Sequence, residues 1–503
     1  MTVVKRLQNL FTTVPRETVS ANGHAPPTKN ESRSSKKYTH TFAVHAETRP
    51  SCLTHDPGVV APSFVGFRNL MGIVLVATNL RLMIENFKKY GLLVTLSGAQ
   101  LRPGDWKWSI TLYLLTPCFL FVAYAIEASA AGYAKSKVAE KKRAEGQKAL
   151  ARVEHSRSLF STWRVIAFFH SFNATLMLII ATYVVYYRIH NPGLATFAEL
   201  HAVIVWLKVC SYAFTNRDLR HAYVNAESTD TRLPALYRQC PYPRNITLRN
   251  LSYFWWAPTL VYQPVYPSTE KRRWDFIIKR ACEFFIMCVV IFVACAQYAV
   301  PLLQNSLDDI AQLRLVNILE RTLKLSTISL VCWLAGFFAL FQSFLNLLAE
   351  IMLFGDRDFY GDWWNSSDLR SYWTSWNKPV THFMKRHIYS PMVGRGMPPM
   401  LAQIITFLFS GALHELLVGV PTHNILGIAF AGMFFQIPLI WLTDPLSRMK
   451  SQNGKLAGNL IFWISFCFIG QPMAALCYFF AWQAKYGTGN RPQWPLGFSE
   501  AKV

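Results

Sequence analysis

The residues of this chain most able to do chemistry lie between Ile351 and Gln436. An apolar stretch from Pro398 to Val420 carries His414 beside Glu415 in its interior. Placing a charge at mid-bilayer costs roughly 2.5–3.5 kcal/mol, so an ionisable pair in such a segment points first to function. An imidazole, with its ordinary pKa of about 6.5, suits a base at neutral pH. The alternative is a buried histidine bonded to a neighbouring helix and nothing more. Ser410 precedes His414 by one helical turn and shares its face. Glu415 stands about 100° around the helix, so it is expected to orient the site or to pair with another helix, not to act as a second base.

A loop rich in rings and amides precedes this stretch: Phe359, Tyr360, Asp362, Trp363, Trp364 and Asn365, then Trp373, Trp376 and Asn377. Its aromatic residues suit either a rim where a substrate enters or an anchor at the membrane interface. Lys378, Lys385, Arg386, His387 and Arg395 supply cations that could meet phosphates. Gln436 and Gln471 are amides within apolar runs, which is costly unless they bond to something. There is no GxSxG elbow and no cysteine with an evident activating partner, so direct transfer without a covalent enzyme intermediate is the simpler expectation.

The elements that must position these groups are membrane spans. Of the 503 residues, 52% are hydrophobic, and the mean hydropathy is +0.19. Several windows reach the roughly 20 apolar residues that a spanning helix needs. The net charge of +23 collects in loops between spans, the positive-inside pattern and not a nucleic-acid-binding face. The ten cysteines show no CxxC spacing; they read as small core residues, with neither a disulfide framework nor a metal site expected. Met1–Ser63 lacks the apolar core of a signal peptide, so the first span is expected to direct insertion.

Nine spans are expected, at about 67–94, 108–133, 160–187, 195–216, 276–303, 323–354, 398–420, 424–445 and 457–484. Tyr253–Trp256 is too short to cross and is expected as an interfacial or re-entrant element. Arg81 and Glu85, and again Lys279 and Glu283, are spaced to pair on one helical face. Gln342, Asn346 and Glu350 form a stripe that should face the bundle interior or a cavity. The basic loop 134–158 contrasts with 96–107, which has only Arg102 and Lys107. That asymmetry puts 134–158 and the N-terminus in the cytosol and the C-terminus in the lumen. The expected organisation is a disordered cytosolic tail at 1–62, a membrane domain at 63–486 and a short lumenal tail at 487–503. The sequons at Asn30, Asn173, Asn245, Asn250 and Asn365 fall in cytosolic or membrane segments by this topology, so none should be glycosylated.

FYGDWWN at 359–365, SWNKPV at 375–380 and SGALHELLVGVP at 410–421 resemble the sterol and diacylglycerol branch of the membrane-bound O-acyltransferase family. NLRLMIENFKKYG at 79–91, NITLRNLSYFWWAPTLVYQPVYP at 245–267 and IGQPMAALCYFF at 469–480 make the diacylglycerol enzymes of type 1 the closer likeness, over about 66–486. The resemblance implies an all-α polytopic protein of the endoplasmic reticulum membrane, with about nine transmembrane helices around an internal reaction chamber. It implies transfer of a fatty acyl group from acyl-CoA to diacylglycerol, giving triacylglycerol, with acyl-CoA as co-substrate and no cofactor. A homodimer or homotetramer is implied, with the segment about Pro50–Phe67 crossing to a neighbour.

Such an ester transfer needs a base for the hydroxyl proton, a donor for the carbonyl oxygen and exclusion of water. By resemblance the base is His414 and Asn377 assists at the acyl-CoA end, with Glu415 in support. Gln436 and Gln471 match glutamines near the thioester and acyl chain. Residues 359–365 would form the lip where acyl-CoA enters, with Trp376, His387, Tyr389 and Ser410 as further substrate contacts. Related enzymes have basic residues where this chain has Pro399 and Gln403. A sterol acyltransferase shares the aromatic motif and the His–Glu pair. A transporter would also account for a polar stripe, but charges are not spread along a path through many spans and no paired half-helices recur as an inverted repeat.

Overall fold

The computed structural model describes residues 65–93, 102–146, 155–225, 234–449 and 452–486. The expected tails at 1–62 and 487–503, most of the segment Pro50–Phe67 and the sequon at Asn30 lie outside the described residues. Two compact units divide the chain, Met1–Leu82 and Met83–Val503. Residues 65–82 of the first unit belong to helix α1 (Val65–Tyr90), on which Leu70, Ile73, Leu75, Val76 and Leu80 are all exposed.

In the second unit, three long helices form one wall: α2 (Pro103–Gly146), α3 (His155–Arg188) and α4 (Pro192–Val224). The turn into α4 is specified locally. The Asn191 side chain accepts from Leu194 N at 3.1 Å, and Pro192 fills the first turn, where no amide hydrogen is needed. Asp105 of α2 accepts from the backbone of His190 and Asn191 and fastens that turn to the wall. Ala123, Ala181, Ala195 and Ala202 lie buried between the helices, small residues that let backbones approach closely. The buried carboxylate of Glu127 receives Arg220 and Tyr242, with His170 beside it; a charge at that depth persists because it is paired.

The short aromatic element is helix α5 (Leu248–Trp256), with Leu251 and Phe254 buried. Next, α6 (Trp274–Val293) runs through a π segment at Ala294–Ala299 into α7 (Val300–Gln304) and α8 (Leu307–Ala311). The following span joins α9 (Leu315–Phe337) to α10 (Leu345–Ile351) through a second π segment, Phe338–Phe344. Two short helices, α11 (Leu369–Ser375) and α12 (Lys378–Met384), follow, the latter continuing through π turns at Lys385–Tyr389 into α13 (Ser390–Gly394). The last crossings are α14 (Pro399–Gly419), the broken pair α15 (Ile428–Phe434) and α16 (Gln436–Arg448), and α17 (Gln452–Ile464), which passes through π turns at Ser465–Gly470 into α18 (Gln471–Tyr486).

Among the described residues there is no strand, only an isolated bridge between Ser268 and Phe354. Eight helical runs among the described residues are long and apolar enough to cross a membrane. The ninth expected span corresponds to α1, which is 26 residues long and carries Arg68, Arg81 and Glu85 among its apolar residues. The structure differs from the pairing expected on α6: Glu283 meets Arg280, at 2.7 Å, and not Lys279. The polar stripe turns inward onto protein. Gln342 accepts from the Tyr360 hydroxyl, Asn346 donates to Gln342 O at 3.0 Å, and buried Glu350 holds both Arg273 and Arg357. Two sequon amides are also committed: Asn245 donates to Asn216 at 2.7 Å and Asn173 to Phe119 O at 2.9 Å.

Candidate active site

Helix α14 starts on Pro398 and Pro399, where a missing amide hydrogen costs nothing. His414, half-buried near its far end, has Nδ1 2.8 Å from the Ser410 carbonyl oxygen. A carbonyl only accepts, so Nδ1 carries the proton and Nε2 keeps its lone pair. The backbone of its own helix thus sets the tautomer in which His414 can receive a proton. The Ser410 hydroxyl is more distant from Nδ1, at 3.5 Å.

Glu415 reaches a different partner set. Its carboxylate accepts from Gly427 N at 2.9 Å, Phe430 N at 3.2 Å and the Tyr478 hydroxyl at 2.7 Å. The first two are orphan amides at the start of α15, where a negative charge is favourable. Two glycines permit the arrangement. Gly427, at φ +72°, adopts the left-handed conformation that turns the chain into α15. A Cβ on Gly419 would stand 2.7 Å from Glu415 Oε1 and 3.0 Å from the Asn424 carbonyl.

The aromatic loop divides into inward and outward members. Phe359, at 3% exposure, packs with Ala257, Phe341, Ala349 and Phe354, while Trp363, at 2%, sits among Trp333, Phe337 and Tyr372. These two rings therefore touch protein. Trp364, at 44%, is outward, with Asp362 and Asn365 also exposed. Asn459 of α17 holds this loop by donating to Ser366 O at 2.8 Å. Trp376 stacks on Tyr372 and meets Trp333 at a tilt. Trp373 donates its indole hydrogen to Gln436 Oε1 at 3.3 Å, and the Gln436 amide gives its own hydrogen to Gly432 O. Gln471 is half-buried at the start of α18, just past the π turns.

Asn377 caps α12: its Oδ1 accepts from Val380 N at 3.2 Å. The amide NH2 makes no hydrogen bond among the described residues. Asn377 also lines a cavity of about 770 Å³ bounded by α2, α4, the loop after α5 and the π segment Phe338–Phe344. That lining includes neither His414 nor the Gln342–Glu350 stripe; the apolar flank of the stripe's helix, Leu340, Phe341, Phe344, Leu345 and Leu348, faces the cavity instead. On the other side of α12, Lys385, Arg386 and His382 border a smaller cavity of about 430 Å³ with Asp356 and Gln263.

His387 lies 2.7 Å from the Ser211 hydroxyl, which itself accepts from Tyr262 N. Burial, then the neighbouring Arg386 and Arg217, push its imidazole down to about 4, so it is neutral at physiological pH. Tyr389 is half-buried at the end of the same π turns. Gln403 accepts from Arg370 Nη1 at 3.2 Å, and Arg370 is also paired with Asp444 at 2.9 Å.

Sequence reasoning missed Lys208. Its buried ammonium gives one hydrogen bond each to the carbonyls of Phe254, Trp255 and Ala257, all at 2.8 Å. These are carbonyls at the end of α5, which a cation satisfies. The motif signal was present in the single lysine of an apolar span, but its partners lie more than forty residues away in sequence. His201, Ser211 and Tyr478 were missed for the same reason.

A family model described as MBOAT, membrane-bound O-acyltransferase family, matches residues 248–480. A Glycine max protein named Diacylglycerol O-acyltransferase 1C is 35% identical over 446 residues, covering 88% of this chain and 80% of its own. Diacylglycerol O-acyltransferase 1-2 of Oryza sativa subsp. japonica is 36% identical over 454 residues, 88% of this chain and 86% of its own. Diacylglycerol O-acyltransferase 1 of Arabidopsis thaliana is 34% identical over 447 residues, 88% and 78%.

Proposed function

Because this chain belongs to the membrane-bound O-acyltransferase family and is a multi-pass acyltransferase, we propose that it moves a fatty acyl group from acyl-CoA to the free hydroxyl of diacylglycerol. Relatives named diacylglycerol O-acyltransferase support diacylglycerol as the acceptor. The observation that carries the mechanism is the tautomer of His414, whose Nδ1–H is held by Ser410 O at 2.8 Å.

In this reading the diacylglycerol oxygen attacks the thioester carbonyl carbon while its proton passes to His414 Nε2. The C–O ester bond forms, the C–S bond breaks, and the coenzyme A thiolate leaves and takes up the proton. The uncommitted NH2 of Asn377 is the donor for the carbonyl oxygen as its charge develops. Glu415 positions without touching substrate: it fixes α14 to α15 and α18 through Gly427, Phe430 and Tyr478. Direct transfer is the simpler course, since no activated cysteine or serine elbow stands in the sequence. The cations Lys385 and Arg386, which border the smaller cavity, are the groups we assign to coenzyme A phosphates. We place the enzyme in the endoplasmic reticulum membrane as a homodimer or homotetramer.

Purified protein given labelled acyl-CoA with diacylglycerol, a sterol or a long-chain alcohol tests this directly. Labelled triacylglycerol as the dominant product is expected. Sterol ester as the dominant product, or no acyl transfer by monodisperse protein, would overturn the reading.

A further inference from the structure

Helix α6 with its π segment Ala294–Ala299, and helix α9 with its π segment Phe338–Phe344, run antiparallel in one register. The Ser343 hydroxyl donates to Glu283 Oε2 at 3.4 Å, and Phe284 meets Phe344 with ring centroids 5.5 Å apart. Further along, Ile291 Cδ1 would stand 3.9 Å from a Cβ placed on Gly336. One turn beyond, Cys295 Sγ lies 3.8 Å from Cys332 Sγ, and both thiols are free. Each step forward on one helix is matched by a step back on the other, so the two cysteines face each other by register. Small residues let the backbones approach there: Ala294 and Ala296 flank Cys295, and Ala335 and Gly336 follow Cys332 at one-turn spacing. Among the described residues no other two cysteine sulfurs lie within hydrogen-bonding distance.

The depth of this pair follows from the length of α6. Its 20 residues put Cys295 about 30 Å from Trp274, which is about the thickness of a bilayer's hydrocarbon core. Trp274 is exposed, as an interface anchor should be. In the topology read from the basic loops, α6 leaves the cytosol at Trp274, so the pair lies near the lumenal boundary. The lumen is the oxidising side of such a membrane. Two residues past Cys295, buried Gln297 accepts from Leu93 N at 2.9 Å and donates to Gly91 O at 2.8 Å and Asn86 Oδ1 at 2.9 Å. A link from Cys295 to Cys332 would therefore fix to α9 the segment that holds residues 86–93.

We propose that Cys295 and Cys332 are a reversible disulfide site that locks this π segment to α9, oxidised by exchange with a small-molecule disulfide of the glutathione type. One cysteine thiolate attacks a sulfur of that disulfide, its S–S bond breaks, and one small thiol leaves. The second cysteine sulfur then attacks the protein sulfur of the mixed disulfide, expels the second small thiol and closes the Cys295–Cys332 bond. The two cysteines lose two electrons and two protons, and the two released thiols carry both. Rotation about the two Cα–Cβ bonds is the motion that takes the sulfurs from 3.8 Å to the roughly 2.05 Å of a bond. The bond joins positions 37 residues apart in sequence and restricts the unfolded chain accordingly.

The test uses the full chain in lipid nanodiscs, equilibrated in buffers of reduced and oxidised glutathione. Free thiols are then alkylated and the peptides mapped by mass spectrometry. A linked pair of peptides carrying Cys295 and Cys332 is expected in oxidising buffer, lost again with dithiothreitol. The oxidised wild type should show a thermal midpoint higher by about 2–5 °C than the reduced form. Cys295→Ser and Cys332→Ser should each abolish both the link and the rise. Should either serine variant fail to give monodisperse protein, Cys295→Ala or Cys332→Ala takes its place with the same expectation. Full alkylation of both thiols at the most oxidising ratio overturns the proposal. A glutathione adduct that persists on either cysteine overturns it too, as do links from these residues to other cysteines in place of that bond. So does a linked form whose midpoint does not rise.

Discussion

His414 has its proton held on the nitrogen that faces its own helix, leaving the other to receive one. General-base catalysis is worth about 10²–10⁴-fold, so His414→Ala should lower turnover by at least that range. Affinity for a non-hydrolysable acyl-CoA should persist, and specific activity of monodisperse variant measures the difference. Near-normal turnover in well-folded protein would remove His414 as the base. His387 makes a prediction of the opposite kind, about stability. Its imidazole is pushed down to about 4 by burial and by Arg386 and Arg217, below the roughly 6.5 of an exposed histidine. The unfolded chain therefore binds the proton more readily between those values. Stability contributed by neutral His387 is present above about 6.5 and is lost as pH falls towards 4. His387→Gln should flatten thermal midpoint against pH across that window, and an unchanged slope would count against the assignment. Sequence alone exposed His414 because a histidine beside a carboxylate is rare in an apolar run. It did not expose Cys295 and Cys332, whose contact depends on the register of two spans.

Elements position these side chains through backbone groups that end helices. Lys208 satisfies three carbonyls at the end of α5, and leaving buried acceptors unpaired costs about 1–3 kcal/mol each. Lys208→Met keeps the stem but removes the donors. It should lower the thermal midpoint of the purified protein clearly, whereas a midpoint within error of wild type would show that the carbonyls find other partners. At the other end of the site, Gly419→Ala would put a methyl 2.7 Å from Glu415 Oε1. The carboxylate must then shift off Gly427 or Phe430, so activity should fall with acyl-CoA affinity retained. The spans themselves were legible, because apolar windows of sufficient length have few other fates. Their interior breaks were not. The π segments at Ala294–Ala299, Phe338–Phe344, Lys385–Tyr389 and Ser465–Gly470 carry no proline or glycine interruption that a periodicity would register, apart from Gly470 at the end of the last. Such bulges cluster at functional sites, and here they adjoin Gln342, His387, Tyr389 and Gln471. The inward turn of Phe359 and Trp363 was equally hidden, since an aromatic residue at a membrane rim and one in a core have the same composition.

For the molecule as a whole, the crossings and the basic loops must agree in parity. Loop 134–158 and loop 355–397 both collect lysine and arginine. Between them stand the helical runs 162–188, 192–224, 274–311 and 315–351, an even number, which returns the chain to the same side as the positive-inside rule requires. From loop 355–397 the runs 399–419, 428–446 and 454–485 allow three more crossings, and the same rule then puts the C-terminus on the opposite side. The lumenal position expected for it therefore does not depend on α1. The N-terminus does depend on α1, a helix of 26 residues and so about 39 Å long, enough to cross although it carries Arg81 and Glu85. Tags at both ends of the chain in sealed microsomes separate these steps. If α1 crosses, protease removes the N-terminal tag and leaves the C-terminal one until detergent is added. Protection of both tags would take α1 out of the membrane and reduce the crossings to eight. Digestion of the C-terminal tag without detergent would break the link between basic loops and the cytosol, and with it the side from which acyl-CoA is expected to enter.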